Sequence, residues 1–201
     1  MITIVDYGMG NLGSIRNMLR RVGASATISG DPAVLAESEK LLLPGVGHFD
    51  AAMQQIAERG LREVLDHKAT VERVPTLGIC LGMQLLTRGS EEGRLPGLGW
   101  VDAEVRRFPP DRGLKVPHMG WNEVTATRPS SLTAGLGDDA RFYFVHSYYV
   151  QVDRRDDAVL TASYGVTFDA AIEAGTIYGA QFHPEKSHRF GMQLLANFAS
   201  L

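Results

Sequence analysis

Val74–Gln84 has the sequence V-P-T-L-G-I-C-L-G-M-Q, an apolar run that gives way to helix-forming residues at Cys80. Cys80 is the only cysteine of the chain, and Gly78 and Gly82 flank it two residues away on either side. This spacing is typical of the sharp strand-to-helix turn G-x-S-x-G, here with cysteine in place of serine. We therefore predict a strand that ends at Cys80, a helix over Leu81–Thr87, and a turn that leaves the thiol uncovered.

The position of Cys80 also predicts its chemistry. The amide groups and the dipole at the start of a helix favour the thiolate, which is the nucleophilic form of cysteine. Glycine on both sides lets the backbone turn sharply. A lone cysteine is often a buried structural residue instead, but its place between two glycines at a strand-to-helix boundary favours a nucleophile.

Length and composition indicate a globular protein. The chain has 201 residues, of which 44% are hydrophobic, and a formal net charge of −3. These values suit one domain over residues 1–201 and give no support for nucleic-acid binding. A single cysteine excludes an internal disulfide bond and fits a reducing compartment. Since no apolar run is long enough to span a bilayer and the N-terminus lacks a signal peptide, we expect a cytoplasmic protein.

Strand and helix patterns alternate in the first half of the chain. Besides the strand that leads to Cys80, short apolar runs predict strands at Ile2–Val5, Ala24–Ile28 and Lys40–Leu43. Amphipathic patterns predict helices at about Ser14–Val22, with Ser14 as the N-cap, at Phe49–Arg59 and at Leu61–Lys68. Strand–helix–strand units of this length predict a parallel sheet.

The alternation stops after Gly89. Most of the remaining pattern predicts strands at Leu98–Phe108, Leu114–Val124, Phe142–Val152, Val159–Ser163, Thr167–Ala171 and Ile177–Phe182. Turn-rich stretches, such as Phe108–Gly113 and Ala134–Asp139, separate them, and a helix is expected at Arg189–Ser200. Consecutive strands with short turns indicate antiparallel pairing. The predicted class is therefore α/β, a three-layer α/β/α domain with a mixed, mainly parallel sheet and antiparallel additions.

The stretch after the last strand supplies a candidate base. His183 precedes a proline, which favours extended backbone, and in extended backbone residues two apart point to the same side. Glu185 can therefore hold the imidazole of His183, and with Cys80 they form the parts of a nucleophilic triad. The alternative is a weak surface ion pair. Of the other histidines, His118 and His146 are the main competitors, but no carboxylate follows either at this spacing.

A glycine-rich loop follows the third strand. In P-G-V-G, Gly45, Val46 and Gly47 allow backbone amides to face a ligand because no Cβ blocks Gly45 or Gly47. With the amide of Leu81, next to the nucleophile, this loop is the candidate oxyanion hole. Taken alone, the motif favours an ordinary strand-to-helix turn.

These motifs resemble those of the class I, or triad, glutamine amidotransferases. Gly78–Gln84 is similar to the nucleophile motif of that family, Gln181–Ser187 to its base motif and Pro44–Gly47 to its oxyanion loop. Further stretches narrow the resemblance to the glutaminase subunits of one synthase of histidine biosynthesis. These are D-Y-G-M-G-N-L at Asp6–Leu12, K-V-P-H-M-G-W-N at Lys115–Asn122, F-V-H-S-Y at Phe144–Tyr148 and Q-F-H-P-E-K-S at Gln181–Ser187.

The resemblance implies an activity and a partner. Such a subunit hydrolyses glutamine to glutamate and ammonia through a glutamyl thioester on Cys80, and it needs no cofactor and no metal. The ammonia passes to a separate cyclase subunit, a (β/α)₈ barrel, so a heterodimer is expected. By the same resemblance, Gly47, Gln84, Ser147 and Tyr148 hold the amino-acid end of glutamine.

A glutaminase that worked alone would waste glutamine, so we expect the partner to control it. The segments expected to contact the partner lie near the same sheet edge as the triad. They are the Tyr7–Ser14 loop, in particular Asn11 and Ser14, together with Trp121 and Lys186.

Three other interpretations are open from the sequence alone. The chain could be a class I glutaminase subunit that serves another pathway, against which the Lys115–Asn122 and Gln181–Ser187 stretches argue. It could be a different hydrolase with a cysteine at the same turn, which would not need H-P-E after the last strand. It could be a regulator without activity, but Cys80, His183 and Glu185 are all present.

Overall fold

The computed structural model describes residues 1–110 and 113–201. The helices are α1 (Leu12–Arg21), α2 (Pro32–Ala36), α3 (Phe49–Glu58), α4 (Arg62–Asp66), α5 (Leu81–Leu85) and α6 (His188–Ser200). The strands are β1 (Ile2–Val5), β2 (Ala26–Ser29), β3 (Lys40–Gly45), β4 (Thr76–Cys80), β5 (Ala103–Arg107), β6 (His118–Glu123), β7 (Thr125–Ala126), β8 (Arg141–His146), β9 (Tyr148–Val152), β10 (Ala158–Tyr164), β11 (Val166–Ala174) and β12 (Ile177–Ala180). No helix within the described ranges has the length and apolar character needed to cross a membrane.

The predicted mixed sheet is confirmed. Its parallel part has the strand order β2-β1-β3-β4-β12, and β11, β10 and β7 continue it in antiparallel pairing. β9 pairs with β11 and with β5, again antiparallel, while β6 and β8 form a separate two-stranded sheet. Parallel strands place their carboxyl ends at one edge, where α/β proteins build their sites.

Helices cover both faces of the parallel strands, as the three-layer prediction requires. Alternate residues of β3 show this division, since Leu42 packs with α1 and α6 on one face while Leu41 and Leu43 pack with α2–α5 on the other. All three leucines are at most 1% exposed. Strands that are buried on both faces explain why the sequence shows continuous apolar runs there instead of alternation.

The sheet register brings the motifs of the sequence analysis together. Gly45 of β3 pairs with Cys80 of β4, and Ala180 of β12 pairs with Ile79 on the opposite side of β4. The glycine-rich loop and the segment that contains His183 therefore begin on either side of Cys80. This arrangement brings distant parts of the chain together at one carboxyl edge.

Some predicted helix limits are wrong. The first helix begins at Leu12 instead of Ser14, because the side chain of Asn11 caps it by accepting a hydrogen bond from the Ser14 amide. The predicted helix Leu61–Lys68 is α4 followed by a π-helical turn over His67–Val71. The short helix α2 was not predicted, although Asp31 caps it and proline occupies its first turn, both recognisable start signals.

Some predicted strands are also shorter or divided. The run Phe142–Val152 is two strands in two different sheets, β8 and β9, with Ser147 between them. The strand predicted at Leu98–Phe108 begins only at Ala103, because the preceding backbone folds back on Leu85 and Leu86 by hydrogen bonds. The turn predicted at Phe108–Gly113 includes residues 111 and 112, which lie outside the described residues.

Gly82 permits the close packing of α5 against β3. A Cβ at this position would collide with the carbonyl oxygen of Leu43, which is backbone and cannot move aside cheaply. We predict that Gly82→Ala lowers the free energy of unfolding by about 1–3 kcal/mol or more, the usual cost of overpacking. Urea unfolding measures this loss.

Gly13→Ala is the matched control for Gly82→Ala. Gly13 lies in α1, and a Cβ there would meet no atom within 4 Å. Since alanine favours helix over glycine by about 0.5–1 kcal/mol, Gly13→Ala should be slightly stabilising. Equal stability of Gly82→Ala and the wild type would contradict the packing argument.

Candidate active site

Cys80 has an unusual backbone conformation. Its φ is 53° and its ψ is −111°, a region that residues with a side chain rarely occupy and that is typical of a strained nucleophile turn. The sequence predicts that the glycines make the sharp turn, but Gly78 and Gly82 do not have positive φ. They are required because a side chain at either position would collide with neighbouring backbone.

The thiol is less exposed than predicted. Cys80 is 6% exposed and packs with buried residues of the core. Solvent reaches it through a cavity of about 340 Å³. A volume of this size is enough for a small amino acid, so Cys80 is a buried residue at the wall of a ligand-sized site.

His183 and Glu185 adopt the predicted pairing. His183 Nδ1 lies 2.9 Å from Glu185 Oε1, and both side chains are 5% exposed. The hydroxyl of Ser187 donates to the carbonyl oxygen of His183 at 2.7 Å, and the amide of Tyr143 in β8 donates to the same hydroxyl at 3.0 Å. The His183 amide also donates to the Tyr143 carbonyl oxygen at 2.9 Å, so the segment is held to β8 and the pair is a buried interaction instead of a weak surface one.

The imidazole of His183 is also hydrogen-bonded to Cys80. Burial lowers the pKa of His183, but the hydrogen bonds to Cys80 and Glu185, together with their negative charges, raise it to about 10. A histidine with such a pKa is an imidazolium at neutral pH. Because Glu185 Oε2 is buried and has no hydrogen-bond partner among the described residues, this imidazolium is the group that balances the carboxylate.

The cavity collects most of the predicted site residues. Besides Cys80 and His183, the predicted residues in its wall are Val46, Gly47, Leu81, Gln84, Ser147, Tyr148 and Lys186. Gly45 lies just behind this wall as a buried residue at the end of β3. Gln84 Nε2 donates to the carbonyl oxygen of Tyr148 at 3.0 Å, so its amide oxygen is the end left for a ligand.

The glycine-rich loop is supported from beneath by Tyr7. The Tyr7 hydroxyl donates a hydrogen bond to the carbonyl oxygen of Pro44. Burial, with a smaller effect of Cys80, raises the pKa of Tyr7, so the hydroxyl keeps the proton that it donates. A Cβ on Gly45 would come within 2.6 Å of this hydroxyl. Gly47 has φ 115°, a conformation that favours glycine.

The competing histidines form a buried pair beside the cavity. His118 Nδ1 lies 3.1 Å from His146 Nε2, and His146 Nδ1 lies 2.7 Å from the carbonyl oxygen of Tyr148. Burial lowers the pKa of His118 to about 4 and that of His146 to about 3. Both rings are therefore neutral at pH 7, and neither ring forms a hydrogen bond with Cys80.

Two residues of the site, Glu92 and Gln181, were not predicted from the sequence. Glu92 lines the cavity, where its carboxylate accepts a hydrogen bond from the Phe49 amide at 2.8 Å; it lies in a polar turn, and no sequence signal distinguishes it. Gln181 is fully buried, with its amide 3.9 Å from the sulfur of Cys80. The alternation that pairs His183 with Glu185 could have indicated Gln181, two residues earlier.

The predicted partner contacts lie on or near the same edge. Trp121 is 45% exposed, and its ring stacks on His188 at a centroid distance of 5.5 Å. Asn11 and Ser14 lie at the start of α1, joined by the capping hydrogen bond. Lys186 is exposed, and its ammonium group lies 5.7 Å from an aromatic ring of β8. A role of these residues in binding a partner stays a prediction.

Comparisons with known proteins agree with the family resemblance of the motifs. The family model of class I glutamine amidotransferases matches residues 3–200. The chain is 50% identical to the imidazole glycerol phosphate synthase subunit HisH 2 of Methanococcus maripaludis over 98% of both chains, and 49% identical to HisH 2 of Pseudomonas aeruginosa over the whole of both. A crystal structure of a glutamine amidotransferase resembles it with a TM-score of 0.75 and 19% identity over both full chains. That last likeness concerns the fold alone.

Protonation of the histidine pair should weaken the fold in acid. In the unfolded chain, His118 and His146 bind protons near pH 6.5, whereas in the folded protein they do so only near pH 4 and pH 3. Between these values the unfolded state binds more protons, so the free energy of unfolding falls as the pH falls. We predict a slope of up to about 1.4 kcal/mol per pH unit from each histidine.

The measurement is urea unfolding at several pH values between 4 and 7. The double variant His118→Gln/His146→Gln should show a shallower pH dependence than the wild type. His67→Gln is the control, because the side chain of His67 is 57% exposed. If the double variant and the wild type have the same slope, the neutral state of the pair is wrong.

Proposed function

This chain belongs to the class I glutamine amidotransferases, and on that basis we propose that it is the glutaminase subunit of imidazole glycerol phosphate synthase. It hydrolyses L-glutamine to glutamate and ammonia. The cyclase subunit, a (β/α)₈ barrel, uses the ammonia to make imidazole glycerol phosphate and aminoimidazole carboxamide ribotide in histidine biosynthesis. We also infer a cytoplasmic location, which the single cysteine favours.

The observation that carries the proposal is the position of His183. Its imidazole is hydrogen-bonded to Cys80 on one side and to Glu185 on the other, at the wall of a cavity of about 340 Å³. A cysteine, a base and a residue that orients the base are the components of nucleophilic acyl transfer. The raised pKa of His183, about 10, supports an imidazolium that can give its proton to a leaving group.

In the proposed reaction, the Cys80 thiolate attacks the side-chain amide carbon of glutamine. The imidazolium of His183 gives its proton to the leaving nitrogen, which departs as ammonia and leaves a glutamyl thioester. His183, now neutral, takes a proton from water as the water attacks the thioester. Glutamate leaves, and the sulfur returns to the thiolate form paired with the imidazolium. Glu185 fixes the tautomer of the imidazole and stabilises its positive form.

The negative charge on the amide oxygen needs donors in the transition state. The amide of Leu81 follows the nucleophile directly, and the loop of Gly45, Val46 and Gly47 begins beside Cys80 in the sheet register. These backbone amides are the proposed oxyanion hole. The absence of a Cβ at Gly45 and the positive φ of Gly47 support this role because they let the backbone approach a ligand closely.

The amino-acid end of glutamine carries one positive and one negative charge. The cavity wall offers the carboxylate of Glu92 and the free amide oxygen of Gln84 to the ammonium group. Backbone groups of Gly47, Ser147 and Tyr148 complete the proposed binding site. This assignment is consistent with a cavity whose wall combines acidic, amide and backbone groups.

The nucleophile is tested by removing the sulfur. Cys80→Ala should abolish glutamine hydrolysis, and an electrophilic glutamine analogue should label the wild type at Cys80 and leave the variant unlabelled, because the chain has no other thiol. The melting temperature serves as the control for folding. In complex with the cyclase, the variant should still support cyclisation with added ammonium salts. Glutamine hydrolysis by Cys80→Ala at the wild-type rate would exclude the mechanism.

The base and the residue that orients it should differ in importance. His183→Ala removes the proton-transfer group and should lower kcat by roughly 10²–10⁴-fold or more. Glu185→Gln should be milder, because an amide oxygen still accepts from the imidazole but no longer stabilises its charge. Steady-state glutamine hydrolysis with the partner present gives both values. A folded His118→Ala variant as inactive as His183→Ala would contradict the choice of base.

The partner should control the oxyanion loop. Gly45 and Gly47 allow two backbone arrangements, one with an amide and one with a carbonyl facing the oxyanion position. The loss of one donor costs about 10²–10³ in rate, so a partner that favours the amide arrangement activates the subunit. We expect low activity alone, more with the cyclase, and most with cyclase and its ligand. Asn11, Ser14 and Trp121 are the proposed contacts.

Hydrolysis of glutamine is measured for the chain alone, with the cyclase, and with the cyclase and its ligand. Gly47→Val should lose the stimulation, because valine does not tolerate both arrangements and its Cβ would lie 2.7 Å from the methyl group of Met9. Gly89→Ala, where a Cβ meets nothing within 4 Å, is the control. Equal wild-type activity in all three settings would refute control by the partner.

A further inference from the structure

Gln181 is a buried amide in direct contact with the nucleophile. It follows β12 immediately and has no exposed surface. Its Nε2 lies 3.9 Å from Cys80 Sγ, and its Oε1 lies 3.2 Å from Gln84 Nε2. The proposed mechanism does not use this side chain, although an amide has both a donor and an acceptor end.

The neighbours of Gln181 decide which end faces the sulfur. The carbonyl oxygen of Tyr148 accepts only, so the group of Gln84 that lies 3.0 Å from it must be the NH₂ group. That same NH₂ group faces Gln181, so Gln181 must present its oxygen there. Its own NH₂ group is then left for Cys80. Rotating the Gln181 amide by 180° would place two NH₂ groups against each other.

The Tyr148 carbonyl is itself held by a second chain of hydrogen bonds. His146 Nδ1 lies 2.7 Å from this oxygen and must therefore carry a proton. In the neutral ring, His146 Nε2 then accepts from His118 Nδ1 at 3.1 Å, and His118 Nε2 accepts from the Asn122 side chain at 3.4 Å. The proton on His146 Nδ1 thus fixes the tautomer of His118 as well. The carbonyl oxygen of Tyr148 accepts hydrogen bonds from two donors, Gln84 and His146.

The remaining contacts of the sulfur define what this NH₂ group does. A protonated Cys80 Sγ donates to the carbonyl oxygen of Val145 at 3.8 Å. Once the proton lies on His183, the sulfur is an acceptor only, and the Val145 carbonyl offers it nothing. The amide of Gln181 then faces it as a neutral donor.

We propose that Gln181 is a further catalytic residue, whose side-chain NH₂ group donates a hydrogen bond to the Cys80 sulfur and stabilises the thiolate. Gln84 is its positioning residue, and the His118–His146 pair acts on Gln84 through the Tyr148 carbonyl. The role in catalysis rests on the proposed glutaminase function. The contact itself is a property of the free protein.

Alkylation of the full chain with iodoacetamide between pH 5 and pH 10 tests the contact. Cys80 is the only thiol, so the rate reports on that sulfur alone, and only the thiolate reacts. Gln181→Met keeps the length of the side chain but has no donor, and Gln181→Glu places an acceptor against the sulfur. Gln193→Glu on the exposed side of α6 is the matched charge control.

We expect Gln181→Met to lower the alkylation rate on the acid side of the profile by roughly three- to tenfold, the range for losing one ordinary hydrogen bond. Its rate profile should move to higher pH. Gln181→Glu should show a larger change, and Gln193→Glu none. With the partner present, kcat for glutamine should fall in the same order while KM changes little.

A folded Gln181→Met protein with the wild-type alkylation profile would overturn the proposal. If melting curves show that the Gln181 variants do not fold, Gln84→Leu tests the same contact, because it releases the Gln181 amide from its fixed orientation and should also move the profile to higher pH. An unchanged profile in Gln84→Leu would then overturn it. Since alkylation uses no glutamine, a shifted profile together with no glutaminase activity of the wild type in the presence of the cyclase would instead overturn the proposed function.

Discussion

The imidazole of His183 is nearly buried between the sulfur of Cys80 and the carboxylate of Glu185, and the rest of the site depends on its positive charge. Burial alone would lower the pKa of His183, whereas its contacts with Cys80 and Glu185 raise it to about 10. Glu185 also depends on that charge, because its second oxygen has no other partner among the described residues. If the imidazole were neutral, a carboxylate would be buried without compensation. The proton on His183 therefore both balances the buried carboxylate of Glu185 and takes part in the proposed chemistry.

The sheet makes this arrangement possible by bringing three loops to one edge. β4 ends at Cys80, and its neighbours in the sheet continue into the glycine-rich loop on one side and the His183 segment on the other. Gly82 lets α5 lie against β3 so closely that a methyl group does not fit. The polar groups beneath Cys80 then have fixed orientations, because one backbone carbonyl, that of Tyr148, accepts from two side chains. The geometry of the site thus follows from backbone packing more than from side-chain choice.

The sequence predicted the fold class and the meeting of the motifs because these follow from local rules. Apolar runs marked the buried strands, and alternation after a proline paired His183 with Glu185. Other features could be recognised only in the folded chain. The division of Phe142–Val152 at Ser147 depends on which sheet each half joins, and Glu92 reaches the cavity only because a distant helix start binds its carboxylate. The positive φ of Cys80 is also a feature that no single-residue preference reveals.

The charge state of His183 is the central claim, and nuclear magnetic resonance measures it directly. Ring nitrogens of ¹⁵N-histidine-labelled protein distinguish an imidazolium from a neutral imidazole, and the spectrum of a His183→Gln variant assigns the signal. The structure predicts that His183 stays an imidazolium from pH 6 to pH 9 and loses its proton only near pH 10. A His183 signal that is already that of a neutral ring at pH 8 would contradict this account.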